Sequence, residues 1–218
     1  DRLIIAQDDS FLSKKMMSLS DIPKDNFPLL LHYHPVHINR YQVLKQADSV
    51  LANYLYREEA PLMMMRSYRY YEKITTHDSS LSNCIYAIMA ARLGDMKAAW
   101  KYFKNSIGTD TENLNGNTKD GIHIANMGGV YAMMTAGFGG LRYDENGLSL
   151  FPLIPEGLKS YGFNLCYKGS RISVTAGNNY CTLKLTEGGN VRLRVYGENI
   201  DLGDRELTVY RRAKGIIF

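Results

Sequence analysis

The sequence has few of the features that mark secreted, membrane or metal-binding proteins. It contains three cysteines. They show no CxxC spacing, so they predict neither a disulfide framework nor a zinc cage, and a reducing cytoplasm is the expected compartment. The longest apolar runs, such as residues 27–31, are far shorter than the roughly 18 to 20 residues that span a bilayer. The chain starts with neither a signal-peptide pattern nor a methionine, so we expect it to be the interior of a longer polypeptide.

An excess of charge of one sign is also lacking. The 26 Lys and Arg residues against 22 Asp and Glu residues give a formal net charge of +4. Basic residues adjoin only in short pairs such as Lys14-Lys15 and Arg211-Arg212, so a nucleic-acid-binding surface is not expected. With 45% hydrophobic and 22% charged residues, the composition excludes a disordered or collagenous chain. The length of 218 residues suits one large domain or two small ones.

Apolar residues recur at three- and four-residue intervals from about residue 41 to 137, which predicts a series of helices. The first is expected over residues 41–56. A later helix should end at Gly94 in a left-handed cap, after which Asp95 should cap the next helix. Another helix is predicted over residues 120–136, with Thr118 as its N-cap. The glycines at its centre, Gly128-Gly129, lower helix propensity, so we expect a tightly packed neighbour to require them.

After residue 140 the apolar period changes to two, which is typical of half-buried antiparallel strands. Seven or eight strands beginning near Leu141 predict a meander or sandwich, with turns at sites such as Asn146-Gly147 and Lys168-Gly169. We therefore divide the chain into a helical domain, residues 1–140, and a β domain, residues 141–218. The helical part is either a small bundle or the last part of a larger helical barrel, and the absence of an initiating methionine favours the barrel. The first forty residues, broken by prolines, should be irregular.

Two polar loops lead into predicted helices. The first, residues 75–82, carries several hydroxyl groups, and the second, residues 115–123, ends at His123. Unpaired amides and the positive end of the helix dipole attract anions to such places. Two helix starts, with Ser79-Ser80 on one and an imidazole on the other, could together hold a phosphate. The alternatives are simple capping by Asp78 or Ser79 and a structural role for His123.

Other polar residues give weaker signals. Lys45-Gln46 is expected at the start of the first helix, where a lysine is slightly unfavourable for the helix dipole. This is an argument for a ligand role, although a solvated lysine is the commoner outcome at such a position. The spacing of His32 and His34 fits one face of a strand, with His37 nearby. Because no acidic or cysteine partner stands at a familiar distance, no metal site is predicted.

Several motifs together resemble a known family, in the same order as in that family. They are Lys45-Gln46-Ala47-Asp48, YEKITTHDSSLS (residues 71–82), GNTKDGIHIA (116–125), GFGGLR (137–142) and LIPEGL (153–158). This combination is similar to the C-terminal part of glycoside hydrolase family 65, which includes maltose, trehalose, kojibiose and nigerose phosphorylases. The similarity covers roughly residues 1–190 and is strongest over residues 41–160.

The resemblance implies an all-α plus all-β fold, with the last helices of an (α/α)6 barrel followed by an antiparallel β domain. It also implies cleavage of an α-glucosidic disaccharide by inorganic phosphate with inversion, giving β-glucose 1-phosphate and a released sugar. Phosphate is then a co-substrate and no cofactor is expected. The family's phosphate site matches Ser79, Ser80 and His123, and its glucose-binding pair matches Lys45 and Gln46. Relatives suggest a homodimer.

The resemblance also places the family's general acid, a glutamate, upstream of this chain. None of the glutamates here matches it, so we expect no catalytic residue in this chain and no activity from the chain alone. Two other functions stay open. One is hydrolysis of an α-glucoside, although Ser79-Ser80 and His123 favour phosphate because a hydrolase needs a carboxylate base there. The other is a non-catalytic carbohydrate-binding module formed mainly by the β domain.

Overall fold

The computed structural model describes residues 3–56, 61–114, 116 and 118–212. Seven α-helices in these residues are α1 (Leu29–His32), α2 (Pro35–Ile38), α3 (Asp48–Tyr56), α4 (Pro61–Glu72), α5 (Ser82–Arg92), α6 (Met96–Thr111) and α7 (Ile124–Ala132). Eight strands follow: β1 (Arg142–Asp144), β2 (Gly147–Leu150), β3 (Ser160–Tyr167), β4 (Ser170–Gly177), β5 (Tyr180–Glu187), β6 (Val191–Val195), β7 (Glu198–Leu202) and β8 (Leu207–Tyr210). The predicted order of helices followed by a β domain is confirmed.

The described residues form two compact units. The first contains those of Asp1–Met89 and Tyr102–Gly129, and the second those of Ala90–Lys101 and Val130–Phe218. The domain boundary expected at residue 140 stays a prediction.

The first forty residues are irregular, as expected. They contain short 3-10 turns and the single-turn helices α1 and α2, which bury Leu29 and Ile38 against Val43. His32 ends α1 and His34 precedes α2, so the two histidines do not lie on one face of a strand. The His34 ring nitrogen Nδ1 accepts a hydrogen bond from the backbone N–H of Val36 at 3.2 Å. His34 therefore caps a helix, as polar N-cap side chains commonly do.

Residues 41–47 are not helical, so the helix predicted to start at residue 41 starts instead at Asp48. Single parallel β-bridges pair Lys15 with Tyr41 and Leu44 with Thr75. Their backbone partners are distant in sequence, and these long-range bonds override the local helical pattern. Lys45-Gln46 consequently precedes the helix, and the argument from an unfavourable helix dipole does not apply to it.

The end of α5 forms as predicted. Gly94 has a φ of +80°, which suits glycine. The backbone N–H of Asp95 donates to the Ala90 carbonyl at 2.9 Å and that of Gly94 to the Ala91 carbonyl at 3.0 Å, the paired bonds of a Schellman cap. Asp95 Oδ1 then accepts from the backbone N–H of Ala98 at 2.9 Å and caps α6.

The continuous helix predicted over residues 120–136 is interrupted. A 3-10 turn covers Thr118–Asp120, Gly121 has a φ of +119°, and α7 starts only at Ile124. A π-helical segment, Met133–Phe138, follows α7. A Cβ on Gly129 would lie 2.8 Å from the Cβ and Sγ atoms of Cys84, whereas one on Gly128 would meet nothing within 4 Å. The predicted close neighbour is confirmed for Gly129 alone.

The eight strands form two four-stranded sheets with the orders β1-β2-β6-β7 and β3-β4-β5-β8. All pairs are antiparallel except β2 with β6, where Ser149 is opposite Arg194 in a parallel pair. This pair departs from the expected antiparallel pattern because the chain builds β3, β4 and β5 between β2 and β6. Alternating apolar side chains from both sheets meet in one core, which includes Leu150, Ile172, Val174, Leu183, Leu193 and Val195.

Candidate phosphate and sugar site

The segment of residues 75–82, here called the serine turn, begins beside Lys45-Gln46. The backbone N–H of Leu44 donates to the Ile74 carbonyl at 2.9 Å, and that of Thr76 donates to the Leu44 carbonyl at 2.8 Å. Paired extended segments lie about 4.8 Å apart. The bridge therefore places the Lys45-Gln46 backbone next to the start of the serine turn.

His77 shapes the serine turn. It has a φ of +58°, a left-handed conformation that is uncommon for a residue other than glycine. Its Nδ1 lies 2.8 Å from the hydroxyl of Ser82, which is fully buried. The ring packs edge-on against Tyr86, with centroids 4.8 Å apart, and lies 5.3 Å from the Tyr102 ring. These buried contacts hold a backbone conformation that the sequence alone does not favour.

The tyrosines below the turn are themselves fixed by hydrogen bonds. The Tyr86 hydroxyl lies 2.7 Å from Thr75 Oγ1, and the Tyr102 hydroxyl donates to Glu72 Oε1 at 3.1 Å. Burial raises the pKa of both phenols above their usual range. Both therefore stay protonated at neutral pH.

The serine turn is also anchored from outside. Asp78 Oδ2 accepts from the backbone N–H of Leu29, the first residue of α1, at 2.8 Å. Ser79 Oγ accepts from the backbone N–H of Leu81 at 3.3 Å, and the Ser79 carbonyl accepts from that of Ser82 at 3.0 Å. Ser79 thus forms a local hydroxyl turn ahead of the helix. Ser79 and Ser80 are half-buried.

His123, at the entry to α7, is bound by Asp110 in the last turn of α6. Its Nδ1 lies 2.6 Å from Asp110 Oδ1, and its backbone N–H donates to Oδ2 at 3.0 Å. The side chains of His123 and Asp110 are 21% and 12% exposed. The hydrogen bond from His123 lowers the pKa of the Asp110 carboxyl below its usual range, so the carboxylate is ionised at neutral pH.

The two helices that carry this pair run antiparallel at the contact. Asn126 Nδ2 on α7 donates to the Ser106 carbonyl on α6 at 2.8 Å. The partners of His123 and Asn126 thus occur in reverse order along α6. This second bond fixes α7 independently of Asp110.

The start of α5 and the middle of α7 touch where Gly129 approaches Cys84. A helix rises 1.5 Å per residue, so Gly129 lies about 7.5 Å along the axis from the start of α7 at Ile124, and Cys84 lies about 3 Å from the start of α5 at Ser82. The serine turn and the α7 entry thus lie in one compact unit, each within about two helical turns of this contact. Convergence of Ser79, Ser80 and His123 on one anion stays a prediction.

The predicted sugar-binding pair lies at the surface beside the serine turn. Lys45 is exposed and Gln46 is half-buried. Gln46 Nε2 donates to Asp48 Oδ1 at 2.9 Å, which orients the amide from the first turn of α3.

The described residues contain neither a cluster of metal ligands nor a membrane-spanning helix. No group of three or more His, Cys, Asp or Glu side chains there could hold a metal ion. No helix in the same residues is both long and apolar enough to cross a membrane.

Comparison with protein families identifies both parts of the chain. Residues 1–132 match the model of the glycosyl hydrolase family 65 central catalytic domain. Residues 141–202 match the model of the family's C-terminal domain. The chain belongs to glycosyl hydrolase family 65. The resemblance noted in the sequence is therefore confirmed.

Relatives within family 65 are much longer than this chain. It is 48% identical to an alpha,alpha-trehalose phosphorylase from Geobacillus stearothermophilus over 90% of this chain and 26% of the relative. It is 32% identical to a kojibiose phosphorylase from Thermoanaerobacter brockii over 93% of this chain and 27% of the relative. A solved structure of a candidate kojibiose phosphorylase from the human microbiome superposes with a TM-score of 0.89 at 28% identity, covering 96% of this chain and 29% of that one. The chain thus spans about a quarter of the length of these proteins.

The structure adds two residues that sequence reasoning did not single out. Asp110 contacts His123 from thirteen positions earlier. An acidic residue near a helix C-terminus interacts unfavourably with the helix dipole. This unfavourable position is the feature of the sequence that could have drawn attention to Asp110. The role of His77 depends on its backbone conformation and on tyrosines from two helices, for which the sequence gives no comparable signal.

Proposed function

We propose that this chain is the C-terminal part of an inverting disaccharide phosphorylase. Such an enzyme cleaves an α-glucosidic disaccharide with inorganic phosphate to give β-glucose 1-phosphate and a free sugar. Relatives that bear the names of trehalose, maltose and kojibiose phosphorylases support this function. The linkage cleaved is set by loops around the leaving sugar, many of which lie upstream in the family.

The observation that carries the proposal is the bridge between Leu44 and Thr75. It places Lys45-Gln46, the pair assigned to glucose, beside the serine turn assigned to phosphate. A phosphorylase needs these two sites adjacent, because a phosphate oxygen must reach the anomeric carbon of the bound glucose. In the proposed site, the hydroxyls of Ser79 and Ser80 and the side chain of His123 bind phosphate.

In the proposed reaction, a phosphate oxygen attacks the anomeric carbon from the face opposite the leaving sugar. The glycosidic C–O bond breaks, and a carboxylic acid gives its proton to the leaving oxygen. Phosphate replaces the water and general base of an inverting hydrolase. We assign the acid to a glutamate outside this chain, so the chain alone should show no phosphorolysis. The complete enzyme is proposed to be a cytoplasmic homodimer with an (α/α)6 barrel and no cofactor.

The contacts of Asp110 favour phosphorolysis over hydrolysis. A hydrolase would need a carboxylate at this position that can take a proton from water. Both carboxylate oxygens of Asp110 are bonded to His123. This arrangement suits a carboxylate that orients an imidazole rather than one that activates water.

The test is a chimera in which this chain replaces the matching C-terminal part of the Geobacillus stearothermophilus enzyme. The chimera should cleave trehalose only when phosphate is present and should release β-glucose 1-phosphate, as measured by phosphorus NMR. The double variant Ser79→Ala/Ser80→Ala should raise the KM for phosphate about tenfold or more through loss of two hydrogen bonds. Ser18→Ala/Ser20→Ala, an exposed serine pair, is the matched control. Glucose release without phosphate would overturn the proposal.

A further inference from the structure

The contact between Asp110 and His123 is more specific than an ordinary surface ion pair. One carboxylate oxygen binds the imidazole and the other binds the backbone N–H of the same residue. The ring and its backbone are thus held together. An ionised carboxylate accepts hydrogen bonds and cannot donate one, so Nδ1 must carry a proton in this contact.

The position of Asp110 is costly for α6. It lies in the last turn of the helix, where the dipole disfavours a negative charge. It is also largely covered, with 12% of its side chain exposed. A carboxylate in such a place needs a compensating partner. His123 supplies two hydrogen bonds, and the lowered pKa of Asp110 is in keeping with this compensation.

We infer that Asp110 is a positioning residue for the phosphate reaction, fixing His123 with its proton on Nδ1 so that Nε2 exchanges a proton with phosphate. This inference rests on the proposed function, in which His123 binds phosphate. Nε2 lies on the edge of the ring opposite the carboxylate. The proposed interaction therefore connects Asp110 through the imidazole to the anion.

The proton balance of the step is simple. Hydrogenphosphate carries one proton on oxygen. As another of its oxygens bonds to the anomeric carbon, that proton passes to Nε2 of His123, and the ring becomes an imidazolium paired with Asp110. The leaving oxygen takes its proton from the carboxylic acid of the proposed mechanism. Imidazolium returns the proton to the glucose 1-phosphate product.

Replacing Asp110 by asparagine should reverse the ring tautomer with little other change. The asparagine amide can donate to Nδ1, which puts the proton of a neutral imidazole on Nε2. Nε2 can then donate a hydrogen bond to phosphate but cannot accept its proton. The bond from Asn126 to Ser106 and the close contact at Gly129 remain to hold α7.

The kinetic test uses the chimera described above with three variants. Asp110→Asn should lower kcat/KM for phosphate by about tenfold or more, because proton transfer by a positioned side chain typically contributes about 10²- to 10⁴-fold. The KM for trehalose should stay within about twofold of the parent, since the sugar pair is not disturbed. Glu112→Gln, an exposed residue just after α6, is the matched control. His123→Ala shows whether His123 acts on phosphate at all.

The outcomes separate the two proposals. If His123→Ala leaves kcat/KM for phosphate unchanged, phosphate does not bind at His123, and the proposed site and the Asp110 inference both fail. If His123→Ala is impaired and Asp110→Asn behaves like the parent, the Asp110 inference alone fails. A rise in the KM for trehalose as large as the loss for phosphate, with a matching fall in melting temperature, would show a structural role and also overturn it.

A spectroscopic test does not depend on activity. The chain has five histidines, so nitrogen-15 NMR of the imidazoles in the 218-residue chain can be assigned by comparison with His123→Gln. We expect His123 to be protonated on Nδ1 in the unsubstituted chain and on Nε2 alone in Asp110→Asn. A neutral ring protonated on Nε2 in the unsubstituted chain would overturn the inference.

Discussion

The serine turn and the α7 entry, residues 118–123, both precede helices and both contain a histidine, but they are held differently. His77 packs among buried tyrosines and contacts a fully buried serine hydroxyl. His123 is held by a carboxylate near the surface. The first histidine belongs to a core and the second to an accessible polar contact.

This difference separates stability from chemistry. A ring packed against buried side chains contributes through packing and through satisfaction of buried polar groups, so its loss should mainly reduce the free energy of unfolding. The contact between Asp110 and His123 is largely covered, but Asp110→Asn keeps a hydrogen-bonding group for both the ring and the backbone N–H, so little stability should be lost. The orientation of the imidazole can nevertheless matter greatly for a reaction. We expect substitution of His77 to destabilise the chain and substitution of Asp110 by asparagine to alter its chemistry.

The largest expected effect comes from His77→Ala. It removes two ring contacts and the hydrogen-bond partner of the buried Ser82 hydroxyl, at a cost of about 3 kcal/mol in the free energy of unfolding. Urea unfolding followed by circular dichroism measures this loss. His77→Asn is the informative control, because asparagine tolerates a positive φ and keeps a polar atom near Ser82. If both variants unfold like the parent, the stabilising role assigned to the contacts of His77 is wrong.

The second-largest effect is expected where α5 and α7 touch. Gly129→Ala adds a Cβ 2.8 Å from two atoms of Cys84. We expect a net loss of about 2 kcal/mol, because overpacking outweighs the better helix propensity of alanine. Thermal unfolding and hydrogen exchange across α5 and α7 measure the change. Faster exchange in both helices is expected, and unchanged protection in both would contradict the close approach.

A smaller effect is expected from Asp78→Ala, which removes the acceptor for the backbone N–H of Leu29. A hydrogen bond to a charged group is worth about 1.5 kcal/mol or more, and partial exposure of Asp78 places the effect at the low end of that range. Asp78→Asn retains an acceptor and should recover most of the lost stability. Equal urea midpoints for the two variants would show that the bond to Leu29 does not anchor the turn.

The same comparison explains which features could be predicted from the sequence. Period-two patterns and glycine turns act locally, so β3, β4 and β5 form where predicted. The cap at Gly94 is also local. The helix predicted over residues 41–47 is wrong because the backbone partners of this segment, around Lys15 and Thr75, lie far away in the chain.

The site divides in the same way. The hydroxyls and the imidazole of the candidate phosphate site were visible as residue types before two helices. Their supports were not, because Asp110 acts from the preceding helix and His77 depends on Tyr86 and Tyr102. Motifs therefore identified the groups assigned to the ligand, while the groups that orient them required the packing of α5, α6 and α7.

The smallest expected effect is a gain in stability, whereas the other substitutions are expected to reduce stability. Gly128 is exposed, and a Cβ there would meet nothing within 4 Å. Gly128→Ala should therefore stabilise the 218-residue chain by about 0.5 to 1 kcal/mol, the difference in helix propensity between the two residues. Measured beside Gly129→Ala by urea unfolding, it keeps the chemical change constant and alters only the neighbour. If the two variants shift the urea midpoint in the same direction, the contact with Cys84 does not distinguish Gly129 from Gly128, and the explanation given for the two glycines is wrong.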